Sequence, residues 1–145
     1  MTSSHLDFDC DFRRAASHEV VQIDQIVRQA MLKIYGRPEG ERSFIQSPFF
    51  AEIAVVGSEI IGVAAFLDEA LTCLYVVERF RNSGVGTCLL HNAMLSGVRA
   101  ATIPFGNFRA LTFFELRGWL SHGKTVLDIG GEELRGIAMH YGNRN

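Results

Sequence analysis

The sequence predicts an α/β fold with a mixed, mostly antiparallel sheet and helices on both of its faces. Three observations predict this class: a hairpin pattern near the middle of the chain, an almost continuous apolar run typical of a central strand, and helical patterns that lie between strand-like runs. The predicted order of elements is β-α-β-β-β-α-β-α-β-β. We expect residues 1–145 to form a single domain, because this length suits one hydrophobic core.

Composition and charge exclude several classes of protein. The 145 residues are 48% hydrophobic and 21% charged, which is globular rather than disordered usage. A net charge of -2 provides no basic field for nucleic acid or an anionic membrane, and no apolar run approaches the ~20 residues of a membrane span. Three cysteines without a C-x-x-C pair and five scattered histidines favour reduced thiols and no metal site. Because no secretory signal pattern is visible, we expect a cytoplasmic protein.

The first part of the chain predicts a strand followed by an amphipathic helix. A short strand is predicted over 8–14. Ser17 is the predicted N-cap of the helix, whose apolar residues recur at steps of three and four as far as Ile34. Gly36 then favours the end of the helix, and residues 37–49 are predicted to form a loop or a short helix.

The middle of the chain predicts a hairpin, a buried strand and a second helix. The β-rich runs 51–56 and 60–67 are joined by Gly57-Ser58, which favours a two-residue hairpin turn. The run 71–77 is nearly all apolar, as expected of a central strand covered on both faces. A polar loop and a helix from Val85 follow.

The last part predicts a strand, a third helix and a closing hairpin. Asn107 is a good N-cap for the helix, and Gly118 suits the position just after its end. The apolar residues predicted to face the core from this helix are Ala110, Leu111, Phe114 and Leu116. The remaining strands are predicted over 99–103, 119–129 and 134–141.

The loop after the predicted central strand is the most informative segment. Residues 77–87 join that strand to a helix and contain Gly84 and Gly86. Glycines let a backbone come close to a ligand, and the N–H groups at a helix start suit a phosphate. We expect the guanidinium groups of Arg79 and Arg81 to neutralise further phosphate charge.

Three phosphate loops compete for this segment. A Walker loop needs a lysine after its second glycine, but Thr87 stands there. A dinucleotide fingerprint needs a small residue three positions after Gly86, and Leu89 stands there. The pattern that remains is Arg-x-x-Gly-x-Gly at 81–86. On this loop alone, a glycine turn that binds nothing stays open as an alternative.

Two motifs, in this order, resemble those of the GCN5-related N-acetyltransferase (GNAT) superfamily. The first is the Arg-x-x-Gly-x-Gly loop at 81–86, behind the strand that contains 74–77. The second is the family pattern Asn-x-x-Ala-x-x-Phe-Tyr-Glu-x-x-Gly-Phe, which is matched from Asn107 to Trp119 with Phe114 at the tyrosine position. The close resemblance covers 71–119, and the order of elements extends it loosely over the whole chain.

The resemblance implies that acetyl-coenzyme A is the cosubstrate. The loop amides would hold its pyrophosphate, the edge of the strand at 74–77 would hydrogen-bond its pantetheine arm, and Asn107 would contact the same arm. A primary amine of a small molecule or a protein would then attack the thioester directly. The cofactor-binding residues implied are Leu74, Val76, Arg81, Asn82, Ser83, Gly84, Val85, Gly86, Thr87 and Asn107.

Two departures from the family pattern matter for the proposed chemistry. Asn82 stands where glycine is often found, and we expect it to tolerate left-handed backbone. Phe114 stands where a tyrosine often protonates the departing thiolate; it carries no transferable proton, and we expect it to face the core. Tyr75 is the candidate catalytic acid, with a packed aromatic side chain as the alternative.

No general base is evident. We expect Glu78 and Glu115 to be solvated, Cys73 to be a small buried residue and His122 to lie at the surface of a strand. Two functions therefore stay open: an active N-acetyltransferase, and a coenzyme A-binding sensor or scaffold with weak or no catalysis. The resemblance also implies that residues 35–50 help to select the acceptor and that the last hairpin can pair two copies into a homodimer.

Overall fold

The order of elements is the predicted one. The computed structural model describes residues 6, 8–35, 50–129 and 132–142, with backbone only at 30–35, 127–129, 132 and 134. The elements are β1 (Asp11–Arg14), a 3₁₀ turn (Ser17–Glu19), α1 (Val20–Tyr35), β2 (Ala51–Val56), β3 (Glu59–Leu67), β4 (Ala70–Val76), a 3₁₀ turn (Glu78–Phe80), α2 (Val85–Leu95), β5 (Ala100–Pro104), α3 (Phe108–Glu115), β6 (Trp119–Ile129) and β7 (Glu132–Tyr141).

The backbone groups into two units, the first ending at Val98 and the second beginning at Arg99. The organisation as a single domain stays a prediction. None of the described helices has the length and apolar character needed to cross a lipid bilayer. The predicted loop or helix at 37–49 lies outside the described residues.

In the first unit, β1, β2, β3 and β4 pair in that order, and each pair is antiparallel. The predicted hairpin turn is confirmed, because Val56 pairs with Glu59 on either side of Gly57-Ser58. β1 is shorter than the predicted strand at 8–14, since pairing with β2 begins only at Asp11. Because the three successive pairings are all antiparallel, the start of β1 and the end of β4 lie at the same end of this sheet.

α1 and α2 cover opposite faces of this sheet. Ile23 and Val27 of α1 are buried against a cluster that includes Val63 of β3. Gly62 is the residue just before Val63 on β3. A Cβ added to Gly62 would lie 2.8 Å from Cδ1 of Leu89 on α2. Because successive strand residues face opposite sides, these contacts confirm helices on both faces of the sheet. The missing side chain at Gly62 is what lets α2 approach β3.

The predicted N-cap at Ser17 is wrong. Ser17 begins a 3₁₀ turn, and Ala16 occupies the capping position without a side-chain hydrogen bond. The Glu19 carboxylate takes over this role, because it accepts the Ala16 N–H at 2.8 Å. It also accepts two hydrogen bonds of 2.8 Å from the Arg13 guanidinium. The hydrogen bonds from Arg13, followed by the one from the Ala16 amide, lower the pKa of Glu19 to about 2.

In the second unit, β7 pairs with β5 on one side and with β6 on the other, antiparallel in both cases. Phe114 of α3 is 3% exposed, and its ring centroid lies 5.0 Å from that of Trp119. The prediction that Phe114 faces the core is confirmed. The same prediction for Leu116 is wrong: this residue follows the last residue of α3 and is 78% exposed.

Asn107 caps α3 as predicted, because its Oδ1 accepts the Ala110 N–H at 3.2 Å. Gly118, just beyond the helix, has a φ of 89°. The closing hairpin is confirmed by the pairing of Ile129 with Glu132. The glycines between these two residues lie outside the described part of the chain.

Candidate cofactor site

The segment from Val77 to Gly84, called the β4–α2 loop below, joins the end of β4 to the start of α2. It contains a 3₁₀ turn and two residues in the left-handed region, Asn82 with a φ of 61° and Gly84 with a φ of 95°. The expectation that Asn82 adopts left-handed backbone is confirmed. Asparagine tolerates this region better than most residues, so the loop keeps its course without the usual glycine.

Hydrogen bonds within the loop fix its shape. The Phe80 N–H donates to the Val77 carbonyl at 2.9 Å, and the Arg81 N–H donates to the Glu78 carbonyl at 3.1 Å. The Ser83 hydroxyl donates to the Phe80 carbonyl. The Ser83 hydroxyl therefore stabilises the loop by a hydrogen bond within it. The backbone N–H of Ser83 is the group that we expect to contact a ligand.

The start of α2 provides amides suited to an anion. The N–H groups in the first turn of a helix have no acceptor within their own helix. In α2, the first intrahelical bond runs from the Cys88 N–H to the Gly84 carbonyl at 3.1 Å, and Gly84 supplies no side-chain cap. The amides of Val85 and Gly86 precede that bond, and Thr87 shares the same turn. The helix macrodipole adds about half a positive charge at this point.

The two glycines of the motif differ in backbone conformation. Gly84 has a positive φ, and a Cβ there would lie only 3.1 Å from Cδ2 of Leu6. The fold itself therefore accounts for Gly84. Gly86 lies inside α2 and has no positive φ. Because glycine costs about 1 kcal/mol relative to alanine in a helix interior, backbone conformation gives no reason for it at this position. The usual remaining reason for such a glycine is the close approach of another group, either a ligand or a neighbouring part of the protein.

Both arginines that were predicted to neutralise phosphate charge make contacts within the protein. The Arg81 Nε donates to the Val76 carbonyl at 3.1 Å, and its guanidinium carbon lies 5.5 Å from the centroid of the Tyr75 ring. Arg79 forms an ion pair with Glu59. Each guanidinium group thus has a partner on a neighbouring strand, Arg81 on β4 and Arg79 on β3.

Tyr75 lies on β4 opposite Val63, half-buried against the cluster beneath α1. Its neighbours Leu74 and Val76 are also half-buried, opposite Ala64 and Gly62 of β3. The structure thus brings the candidate acid and the Arg81 guanidinium together at the end of β4.

The other candidate residues are placed as predicted. Glu78 and Glu115 are exposed, and His122 is exposed with its ring centroid 5.7 Å from that of His140. Cys73 is buried, and burial raises the pKa of its thiol to about 12. A thiol with so high a pKa forms almost no thiolate at neutral pH. Within the described stretches, no group of three or more His, Cys, Asp or Glu side chains is arranged to hold a metal ion.

Asn107 is the predicted site residue of the second unit. Its Oδ1 accepts the Ala110 N–H and caps α3. Its side-chain NH₂ is a hydrogen-bond donor and can donate to an amide carbonyl of a ligand.

Sequence reasoning missed two residues that touch the β4–α2 loop. The ring centroid of Phe8 lies 5.2 Å from that of Phe80, and Leu6 packs against Gly84. No motif marks these residues, because each contact joins positions far apart along the chain. The aromatic side chain at position 8 was a signal in the sequence, but the prediction of a strand over 8–14 assigned Phe8 to that strand.

No family sequence model and no curated protein sequence matches this chain, whereas solved structures do. A GCN5-related N-acetyltransferase from Rhodopseudomonas palustris is 18% identical with a TM-score of 0.69, covering 94% of this chain and 96% of its own. The protein yncA from Salmonella typhimurium, whose structure was determined with its cofactor acetyl-CoA, is 16% identical with a TM-score of 0.66 and the same coverage of 94% and 96%. NAA60 from Arabidopsis thaliana, in complex with a bisubstrate analogue, is 14% identical with a TM-score of 0.67, covering 91% and 97%.

These similarities extend over almost the whole of both chains in each comparison. They confirm the predicted fold class, and they confirm at the level of fold the resemblance that rested on the motifs at 81–86 and 107–119. This chain has the fold of the GCN5-related N-acetyltransferases.

Proposed function

We propose that this protein transfers an acetyl group from acetyl-CoA to a primary amine of a small molecule or a protein. The observation that carries the proposal is the β4–α2 loop. It leads into a helix whose N-cap, Gly84, provides no side-chain hydrogen bond and whose second residue, Gly86, is a glycine without a positive φ. The solved structure of yncA, a protein with the same fold, was determined with acetyl-CoA.

Backbone groups would bind the cosubstrate. The amides of residues 82–86, with Thr87 beside them, would hold the pyrophosphate, since successive N–H groups at a helix start favour phosphate. The Arg81 amide, predicted to join them, already donates to the Glu78 carbonyl. The backbone of Leu74 and Val76 would hydrogen-bond the pantetheine arm as an added strand. Asn107 would donate its side-chain NH₂ to the same arm.

The chemistry is nucleophilic acyl transfer. The amine nitrogen attacks the thioester carbonyl carbon, the C–S bond breaks as the C–N bond is completed, the thiolate gains a proton, and the nitrogen loses one. We assign the proton donation to Tyr75, whose phenol lies at the end of β4 near the Arg81 guanidinium. Phe114 takes no part, because it is buried and has no hydroxyl.

The alternative is a coenzyme A-binding sensor or scaffold with weak or no catalysis. Phe114 favours this alternative, because it removes the phenol that often acts as the acid in this superfamily. The loop itself fits both functions equally.

We also propose that the chain folds as one domain. We further propose that two copies form a homodimer through the last hairpin. β6 pairs with β7 on one side, and two of its apolar side chains, Leu120 and Val126, are 56% and 60% exposed. A strand at the edge of a sheet, as β6 is among the described strands, can pair with a second copy. Light scattering of the purified protein measures the mass directly.

Two measurements on the native protein test the function. Calorimetric titration with acetyl-CoA is expected to show saturable binding, and the absence of binding would refute both functions. Release of free thiol across a panel of small amines and peptides with free amino groups separates the two. Amine-dependent release supports the transferase, whereas binding without release by any amine supports the sensor.

A further inference from the structure

The residues just before β1 lie against the β4–α2 loop. We call Leu6, Phe8, Asp9 and Cys10 the N-terminal strap. The Phe8 and Phe80 ring centroids lie 5.2 Å apart with an interplanar angle of 46°. At the far end of the loop, Cδ2 of Leu6 lies 3.1 Å from the place where a Gly84 Cβ would be. The strap therefore contacts the loop at both ends of the segment 81–83.

The strap is held in place by the sheet. Cys10 is 1% exposed, and the next residue, Asp11, begins the pairing of β1 with Val55 of β2. Because β1 starts at the same end of the sheet where β4 stops, the chain that enters β1 runs beside the loop that leaves β4. The strap thus has one fixed end and two contacts with the loop.

Contacts around the loop influence its conformation. Asn82 has a positive φ, which asparagine adopts more readily than most residues but which is less common than right-handed or extended backbone. The Ser83 hydroxyl donates a hydrogen bond to the Phe80 carbonyl. A displacement of Phe80 would therefore also displace Ser83 and the amides that follow it. The ring of Phe80 also contacts the Arg79 guanidinium, whose carbon is 5.1 Å from the ring centroid.

From these contacts we infer that Phe8 and Leu6 are positioning residues for coenzyme A binding: they hold the amides of the β4–α2 loop in the arrangement that receives the pyrophosphate. The inference rests on the proposed function. Neither residue needs to touch the ligand, because both act through Phe80 and Gly84. Without the strap, the loop would spend less time in the binding conformation, and the apparent affinity would fall by the same fraction.

Substitution of Phe8 tests the inference through coenzyme A affinity and hydrogen exchange. Phe8→Ala is expected to raise the dissociation constant for coenzyme A about three- to tenfold, the change that corresponds to one aromatic pair. It is also expected to speed the exchange of the amides at 82–86. Phe8→Tyr keeps the ring and is expected to restore native values. Val21→Ala, which shortens an α1 side chain that is 69% exposed, is the matched control and is expected to change neither quantity.

A double-mutant cycle with Phe80→Ala shows whether Phe8 acts through Phe80. If it does, the losses from the two substitutions are not additive. Unchanged affinity and exchange in Phe8→Ala, or additive losses in the cycle, would overturn the inference. If Phe8→Ala lowers the melting temperature strongly, Phe8→Leu repeats the exchange measurement with apolar bulk retained. If the native protein binds no coenzyme A, the proposed function fails, and the exchange of the loop amides alone still decides whether the strap holds the loop.

Discussion

Arg81 is tied to Val76: its Nε donates to the Val76 carbonyl oxygen at 3.1 Å. This bond connects the loop that leaves β4 to the end of the strand that precedes it. The guanidinium carbon also lies 5.5 Å from the centroid of the Tyr75 ring. The arginine of the motif therefore connects the loop to its strand, and in the proposed function the backbone that follows it binds the pyrophosphate.

Replacing Arg81 by lysine tests this role. Lysine keeps the positive charge but lacks the Nε–H and the planar group that lies over the Tyr75 ring. We expect Arg81→Lys to raise the dissociation constant for coenzyme A by about two- to tenfold, as one hydrogen bond of ordinary strength would. Calorimetric titration measures the change. An affinity equal to that of the native protein would mean that charge alone matters at this position.

Gly86 offers a test in which stability and binding are expected to move in opposite directions. Gly86→Glu places a better helix former and a negative charge in the first turn of α2, and both favour the helix. The same charge would repel a pyrophosphate. We expect the melting temperature to hold or rise while coenzyme A affinity falls. Differential scanning calorimetry and titration measure the two.

Gly86→Gln is the matched control, because it has the same size without the charge. We expect Gly86→Glu to bind coenzyme A at least about tenfold more weakly than Gly86→Gln, since two like charges at close range near a protein surface repel by more than 1 kcal/mol. Equal affinities in the two variants would place the pyrophosphate elsewhere.

Much of this fold was predictable because its signals are local. The Gly57-Ser58 hairpin, the Asn107 cap and the buried Phe114 each depend on residues close together in the sequence. The two errors depend on context. Ser17 is a common capping residue, but the Glu19 carboxylate, already fixed by Arg13, reaches the Ala16 amide instead. Leu116 continues the apolar pattern of α3, yet the helix ends one residue before it.

The site was predictable only in part, for the same reason. The pattern at 81–86 located the loop and the left-handed Asn82. It gave no information on where the arginine side chains point, because that depends on the Val76 carbonyl and on Glu59 of another strand. The contact of Phe8 with Phe80 likewise joins two distant segments. No residue pattern distinguished the fold-required Gly84 from Gly86, since only the φ values and the position of Leu6 separate them.

Glu19 gives the protein a predictable response to acid. Its pKa falls from an ordinary value of 4.5 to about 2 in the folded state, so the unfolded chain binds more protons between these values. The stabilisation by Glu19 is therefore complete above about pH 4.5 and is lost as the pH falls toward 2. We expect Glu19 to contribute about 1–2 kcal/mol to the free energy of unfolding. Solvent reduces this contribution, because the Arg13 side chain is 45% exposed.

Chemical denaturation of the native protein and of Glu19→Gln from pH 6 to pH 2.5 measures this contribution. The difference in unfolding free energy between them is expected to be largest near pH 6 and to shrink as the solution becomes more acidic. A difference that stays constant over this range would show that the Glu19 carboxylate does not titrate as described.

Tyr75→Phe tests the assignment of the acid. Loss of the phenol is expected to lower amine-dependent thiol release by about 10²-fold or more, the lower end of what a general acid contributes. Coenzyme A affinity is expected to stay close to native, because the ring remains packed beside Val63 and Arg81. Steady-state turnover and titration of the same preparation measure both. A silent Tyr75→Phe would leave water or a group of the acceptor to supply the proton.

Phe114→Tyr provides the contrasting substitution. The Phe114 ring is 3% exposed, with ring centroids 5.4 Å from Phe113 and 5.0 Å from Trp119. A hydroxyl buried there without a partner would cost about 1–3 kcal/mol. We expect a lower melting temperature and no gain in thiol release. Faster release with Phe114→Tyr would show that the missing phenol limits the native protein.

The central claim is that backbone amides of the β4–α2 loop and the first turn of α2 bind the pyrophosphate of acetyl-CoA. A ¹H–¹⁵N NMR titration of the native protein with acetyl-CoA observes these amides one by one. We expect the resonances of residues 82–86 to shift progressively and to saturate together, while those of exposed α1 positions such as Val21 stay in place. Saturable binding that leaves the resonances at 82–86 unchanged would contradict the account.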